Sequence, residues 1–269
     1  MILLAPSLLA LRKMLKICQE FSIEFKIRFN ASKCKLLVFG ERNVEDISVE
    51  FNNVRMKPCP IELHLGIQIG SDAQRARIEA SVYDMYRRTN ILLAQFHHAS
   101  IDVKYSLFKS YCMSLYGCTM WDLSKRRVQD IYTAWRKCVR RVMGISARTH
   151  NALLPHIIND VDIQSIVERR IVRFLQGISK SSNHYLKLGF QLMRNGSRSA
   201  ISNSVNFICN KHGVGKDELF RDGLILQGVT DLNAVKGAQI RELLEMREGN
   251  WDFLELEEIN VLLEYLCEG

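Results

Sequence analysis

The segment KRRVQDIYTAWRKCVRRVMG, residues 125–144, constrains the chain more than any other. Val128, Ile131, Tyr132, Trp135, Cys138 and Val139 recur at i, i+3, i+4, i+7, i+10 and i+11, with cations in the opposite positions. That period puts the apolar side chains on one stripe of an α-helix, and exposing such a stripe forfeits roughly 1.5–3 kcal/mol per large side chain. A helix so patterned draws most of its stability from packing, so the chain must supply other helices to cover it. Gly144 follows the last turn and suits a left-handed C-cap.

The neighbouring segments carry the same period. DAQRARIEASVYDMYRRTNILLAQF (72–96) predicts a long helix with Ile78, Val82, Met85, Leu92 and Phe96 inward. DVKYSLFKSYCMSLYGCTMW (102–121) predicts another, ended or bent at Gly117. DVDIQSIVERRIVRFLQGIS (160–179) predicts a third, capped by Asp160 or Asp162, with Ile163, Ile166, Val167, Ile171 and Phe174 inward. KSSNH and RNGSRS read as loops, and further helices are expected at about 199–210, 232–248 and 254–266.

Before residue 71 the pattern is mixed. ILLAP reads as a buried strand, and SLLALRKMLKICQEF as a helix capped by Ser7 with Leu8, Leu11, Leu15, Cys18 and Phe21 on one face. KCKLLVFG (33–40) reads as a strand, and ISVEFNNVRMK (47–57) as a hairpin turning at Asn52-Asn53. IELHLGIQIG (61–70) alternates Ile61, Leu63, Leu65, Ile67 and Ile69, the pattern of a half-buried strand. The expected fold class is therefore α+β, mostly α: a small antiparallel sheet region over 1–70, then helices over 71–148 and 149–269. Four prolines and fifteen glycines in 269 residues agree with a helical chain.

Several function classes drop out. The apolar opening lacks the leading positive charge of a secretory leader, is broken by Pro6 and Ser7, and falls far short of the ~20 residues that span a bilayer. Other apolar stretches carry charges at helical spacing, so no membrane partner is expected. Eight scattered cysteines without a CxxC pair read as reduced thiols of an intracellular protein. GVGKD (213–217) lacks the first glycine and the Ser/Thr of a phosphate loop and reads as a turn before a helix. Cys112 with Cys118, and Cys209 with His212, do not complete a zinc set, and His97-His98 suits a helix end.

The net charge of +8 conceals an asymmetry. Residues 72–148 hold 14 Lys+Arg against 6 Asp+Glu, residues 149–216 hold 9 against 3, and residues 217–269 hold 4 against 13. A basic middle suits a polyanion, because each neutralised phosphate releases counterions. Arg136, Lys137, Arg140 and Arg141 form two i,i+4 pairs opposite the Trp135 stripe, extended by Lys125, Arg126 and Arg127. Such a row is either a site that tracks a nucleic-acid backbone or a solvated helix face.

Three stretches resemble one family. IRFNASKCKLLVFG (27–40), with Asn30 and Lys33, resembles the segment after the catalytic loop in reverse transcriptases of non-LTR, LINE-type retrotransposons. LHLGIQIG (63–70) resembles the primer-grip hairpin that follows it, through His64, Leu65 and Gly66. YGCTMWDLS and YTAWRKCVRRVMGISARTHNALLP, between 116 and 155, are similar to the thumb and post-thumb region of jockey-like elements, with Trp-Asp, Ala-Trp-Arg-Lys and Arg-Thr-His-Asn in order. The resemblance spans roughly residues 1–180.

The resemblance implies the end of a polymerase palm, a thumb and a helical C-terminal region. Lys33 would be the palm lysine that can act as proton donor, and His64, Leu65 and Gly66 would position the primer. The helices near 72–143, with Lys125, Arg126, Arg127, Arg136, Lys137, Arg140, Arg141 and Arg148, would follow an RNA template or RNA–DNA duplex. The family's polymerases hold two Mg²⁺ ions on aspartates that include an Ala-Asp-Asp turn, and the sequence contains neither that turn nor the earlier palm aspartate. The expectation is thus a truncated polymerase piece without cofactor or catalysis, cut just past its aspartates. The alternatives are a non-catalytic helical nucleic-acid-binding module and a decayed product whose exposed sheet edge aggregates.

Overall fold

A computed structural model describes residues 2–40, 44, 46–70, 73–196 and 199–220. The expected helices at 232–248 and 254–266, and nearly all of the acidic tail, lie outside the described residues. The observed class is α+β, mostly α, and the chain divides into two compact units, Met1–Arg77 and Ile78–Gly269. Among the described residues, no helix is long and apolar enough to cross a membrane.

The first unit begins with α1 (Leu8–Glu24), whose N-cap Ser7 accepts a hydrogen bond from the Ala10 amide at 3.2 Å. Leu15 is buried and Leu8, Leu11 and Cys18 pack beside it, against Ala31, Leu36, Val49 and Phe51. Phe21, expected on the same face, is 45% exposed and stacks on Phe25 instead, ring centroids 4.4 Å apart. The small core ends before it.

Strands are shorter than the sequence pattern predicts. Residues 2–5 form no strand; among the described residues no segment pairs with them, and Leu4 is 83% exposed. In KCKLLVFG only Leu36 makes a β-bridge, to Pro58, backed by Cys59 N–H donating to Leu36 O at 2.9 Å. Pro58 and Pro60 have no N–H to donate, so the ladder cannot extend. Ala31–Lys33 is a single 3-10 turn.

Two hairpins complete the unit. β1 (Val49–Phe51) pairs antiparallel with β2 (Val54–Met56) around Asn52 (φ 49°) and Asn53 (φ 61°), the two left-handed positions of the turn that Asn-Asn predicted. IELHLGIQIG is not one strand but two, β3 (Ile61–His64) and β4 (Ile67–Gly70), turning at Leu65 (φ 49°) and Gly66 (φ 78°). Apolar alternation runs through this turn unbroken, so periodicity alone cannot locate it, and Leu63 and Leu65 face solvent. Gly70 closes β4 where an added Cβ would lie 2.0 Å from Pro60 O.

The helix α2 (Ala73–Gln95) carries the chain into the second unit. Ile78, Met85 and Leu92 are buried as expected, with Thr89 between them donating its hydroxyl to Met85 O at 2.7 Å. Phe96 lies past the helix end and is exposed. The next helix, α3 (Ile101–Leu107), tightens its start on Ser100 and widens into a π-turn at Phe108–Cys112. Helix therefore stops well before Gly117, whose φ of 75° opens a short 3-10 turn at Cys118–Met120.

α4 (Val128–Met143) is the centre of the unit. All six residues of the predicted stripe are buried, and Gly144 caps it in the left-handed region at φ 68°. Trp121, Trp135, Phe108, Ile131, Leu153, Leu154 and Ile171 are fully enclosed in the same core, so residues on either side of 148 share it.

α5 (Leu154–Ile158) precedes α6 (Ile163–Ser179), whose N-cap Asp162 accepts from the Ser165 amide at 2.7 Å. Phe174, expected inward, is 42% exposed; the buried side of α6 swings to Glu168, Val172 and Leu175, toward the elements that follow. These are α7 (His184–Arg194), between the two predicted loops, α8 (Ala200–His212) and the short α9 (Lys216–Leu219). GVGKD is the turn between α8 and α9, as expected.

Candidate nucleic-acid interface

The basic residues around α4 fall into three environments. Lys137 and Arg141, four apart, point outward from α4 beside the exposed Thr133. Lys125, Arg126 and Arg127 are also exposed but lie in the turn that enters α4 rather than on the helix, and Arg148 is exposed in the turn after it. Among the described residues, no ion pair engages Lys125, Arg126, Lys137 or Arg141. Arg127 reaches Glu79 of α2 at 3.4 Å, a surface pair worth little in water.

Arg140 departs from the expected exposed row. It is 9% exposed, and its guanidinium is turned inward onto the segment after α4. Nε and Nη2 donate to Thr149 O at 3.1 and 2.5 Å, and Nη2 also donates to Asn151 Oδ1 at 2.7 Å. Burial, and then the neighbouring Arg136 charge, push its pKa down from the usual arginine value. Arg136 is half-buried, donates to Thr133 Oγ1 at 3.4 Å and is likewise shifted down by burial, with Asp162 opposing. A stripe wide enough to be covered by α3, α5 and α6 leaves less of the helix to solvent than a two-faced pattern suggests.

The motifs that carried the resemblance serve as staples inside the second unit. Trp121 is fully buried, and its carbonyl accepts from Ser204 Oγ of α8 at 2.6 Å. Asp122 accepts from Asn203 Nδ2 at 2.7 Å and from the Ser124 hydroxyl at 2.6 Å. Thr149 and Asn151 of Arg-Thr-His-Asn receive Arg140, while His150 Nδ1 accepts from the Ala152 amide at 3.2 Å. Trp135 of Ala-Trp-Arg-Lys lies in the core and Lys137 on the surface.

In the first unit, Lys33 ends the 3-10 turn with an exposed side chain, while His64 ends β3 and Leu65 and Gly66 form the turn into β4. Among the described residues, no group of three or more His, Cys, Asp or Glu could hold a metal ion.

Two features escaped the sequence pattern. Arg88 of α2 stacks over Tyr111, 5.4 Å from the ring centroid, and donates to its carbonyl at 3.0 Å; Tyr83 and Tyr116 are 67% and 62% exposed. YDMYRR offered a faint signal of such an aromatic and basic surface. The second is Glu168, fully buried on α6. Its carboxylate accepts from Gln164 Nε2 at 2.9 Å, Lys211 Nζ at 3.0 and 3.2 Å, and His212 Nε2 at 2.9 Å. Nothing in VERRIV marks that glutamate as buried, and two of its partners, Lys211 and His212, lie over forty residues away.

Comparison with protein-family models, with curated proteins and with solved structures finds no match to this chain.

Proposed function

We propose that the chain is a nucleic-acid-holding piece of a non-LTR retrotransposon-type reverse transcriptase, without polymerase chemistry of its own. The supporting observation is the cation set around α4. Lys137 and Arg141 on the helix, Lys125 and Arg126 before it and Arg148 after it are exposed on one helical unit. The order of Trp-Asp, Ala-Trp-Arg-Lys and Arg-Thr-His-Asn along the sequence supports the family reading. Phosphates are the partners such a row suits, since exposed cations position a backbone without reading bases. The partner is an RNA template or an RNA–DNA duplex. Catalysis is excluded from the proposal because the metal-binding aspartates of the family's motif are not in this sequence.

The test is fluorescence anisotropy with a labelled RNA–DNA hybrid over a range of salt. Each phosphate contact contributes about −0.9 to the slope of log affinity against log salt, so the Lys137→Ala/Arg141→Ala double variant is expected to flatten that slope by about 2. Both positions are exposed, so the melting temperature should hold. An unchanged slope would remove α4 from the proposal, and template-dependent primer extension by the wild-type chain would defeat its non-catalytic part.

A further inference from the structure

The first unit carries a second concentration of unneutralised charge, away from α4 in sequence. Arg12 on α1 and Arg55 on β2 both converge on Ser48, the residue leading into β1. Arg12 Nη2 donates to Ser48 O at 3.4 Å, and Arg55 Nε donates to Ser48 Oγ at 3.1 Å. One residue thus tethers two guanidinium groups from separate elements. Around them opens a cleft of about 330 Å³ lined by Arg12, Ser48, Val49, Glu50 and Arg55.

Neither arginine has an ion-pair partner among the described residues. Most of their N–H donors are unspent, because each has given one bond to Ser48. Two like charges held on one residue repel, and an anion between them relieves that repulsion. Ser48 Oγ accepts from Arg55 and keeps its own proton free to donate. A planar carboxylate satisfies one guanidinium fork, whereas two forks arriving from different elements with a hydroxyl between them suit a tetrahedral oxyanion. Glu50 stands across the ladder from Arg55 and lines the same cleft, so it opposes an anion there and serves as an internal electrostatic probe.

We propose that Arg12, Arg55 and Ser48 form a binding site for a phosphate group. The group belongs either to a polynucleotide backbone or to a free phosphorylated small molecule. The site stands independently of the α4 reading, because inorganic phosphate tests it without any nucleic acid.

The experiment is calorimetric titration of the full chain with inorganic phosphate, against sodium chloride at matched ionic strength. Wild type is expected to bind phosphate saturably. Arg12→Ala and Arg55→Ala should each weaken binding about tenfold, the scale of one lost charge-assisted contact, and Glu50→Gln should tighten it severalfold. All three residues are exposed, and unchanged melting temperatures would confirm that the variants fold. Absence of saturable binding by wild type, or phosphate binding by both arginine variants as tight as that of wild type, overturns the site. A labelled single-stranded oligonucleotide then separates the sources. Weaker oligonucleotide binding by Arg12→Ala and Arg55→Ala assigns the cleft to a backbone phosphate. Unchanged oligonucleotide affinity beside lost phosphate binding assigns it to a free phosphorylated ligand.

Discussion

Replacing Arg140 by alanine separates a structural arginine from the basic residues beside it in sequence. The guanidinium is 9% exposed and satisfies two acceptors, Thr149 O and Asn151 Oδ1. Hydrogen bonds from a charged donor contribute about 1.5–3 kcal/mol each, and the truncation leaves both acceptors with a poor route to water. The cost of burying the charge offsets part of this, so the expected loss is about 3 kcal/mol. For a unit of this size that lowers the melting temperature by about 6–12 °C. Arg140→Lys should recover only part, because an ammonium cannot reproduce the planar fork that reaches both acceptors. The assay pairs thermal denaturation with the salt dependence of RNA–DNA hybrid binding, measured well below the melting point. Arg140→Ala should lower the first and leave the slope of the second unchanged, while Lys137→Ala/Arg141→Ala should do the reverse. An Arg140→Ala variant that melts like wild type but flattens the salt slope would show that the guanidinium faces phosphate rather than Thr149, and the reasoning would fail.

Two further outcomes follow from the buried groups of the second unit. Lys211→Ala leaves the fully buried Glu168 carboxylate without its ammonium, a loss of about 3–5 kcal/mol, whereas Glu168→Ala leaves an ammonium that is partly solvated already and costs less. Chemical denaturation of the two variants should preserve that order, and equal losses would contradict the burial of the carboxylate. Tyr132 is 2% exposed and its hydroxyl has no hydrogen-bond partner among the described residues, so Tyr132→Phe should be neutral or stabilising by about 1 kcal/mol. Burial first, and then the Glu168 charge, raise the Tyr132 pKa above its ordinary 10.0. A raised folded-state value means stability is intact below pH 10.0 and falls as pH climbs beyond it, and Tyr132→Phe should shallow that decline. Identical alkaline melting profiles for wild type and Tyr132→Phe would remove this residue from the effect.

Much of the helical architecture was legible from residue order. The α4 stripe from Val128 to Val139, its stop at Gly144, the caps at Ser7 and Asp162 and the Asn52-Asn53 turn all hold in the structure. Each rests on short-range physics: a helical period, an orphan amide met by a nearby oxygen, or a backbone region that asparagine or glycine tolerates. Such preferences need no knowledge of what lies opposite. The candidate site was legible only as a composition of charge, since a cationic helix face and a half-buried one read alike.

The tertiary structure decided whatever depends on a neighbour. ILLAP and KCKLLVFG have the residues of strands, but a strand exists only where another backbone receives its hydrogen bonds, and Pro58 and Pro60 withhold theirs. Phe21, Phe96 and Phe174 sit at the apolar period, yet the cores end before they reach them. Arg140 and Arg141 are adjacent in sequence and opposite in fate, because Thr149 and Asn151 wait beside one of them and solvent beside the other. Glu168 lies wholly inside because α8 brings Lys211 and His212 to it. Residue order set where the helices run; only packing decided which charges were left for a partner.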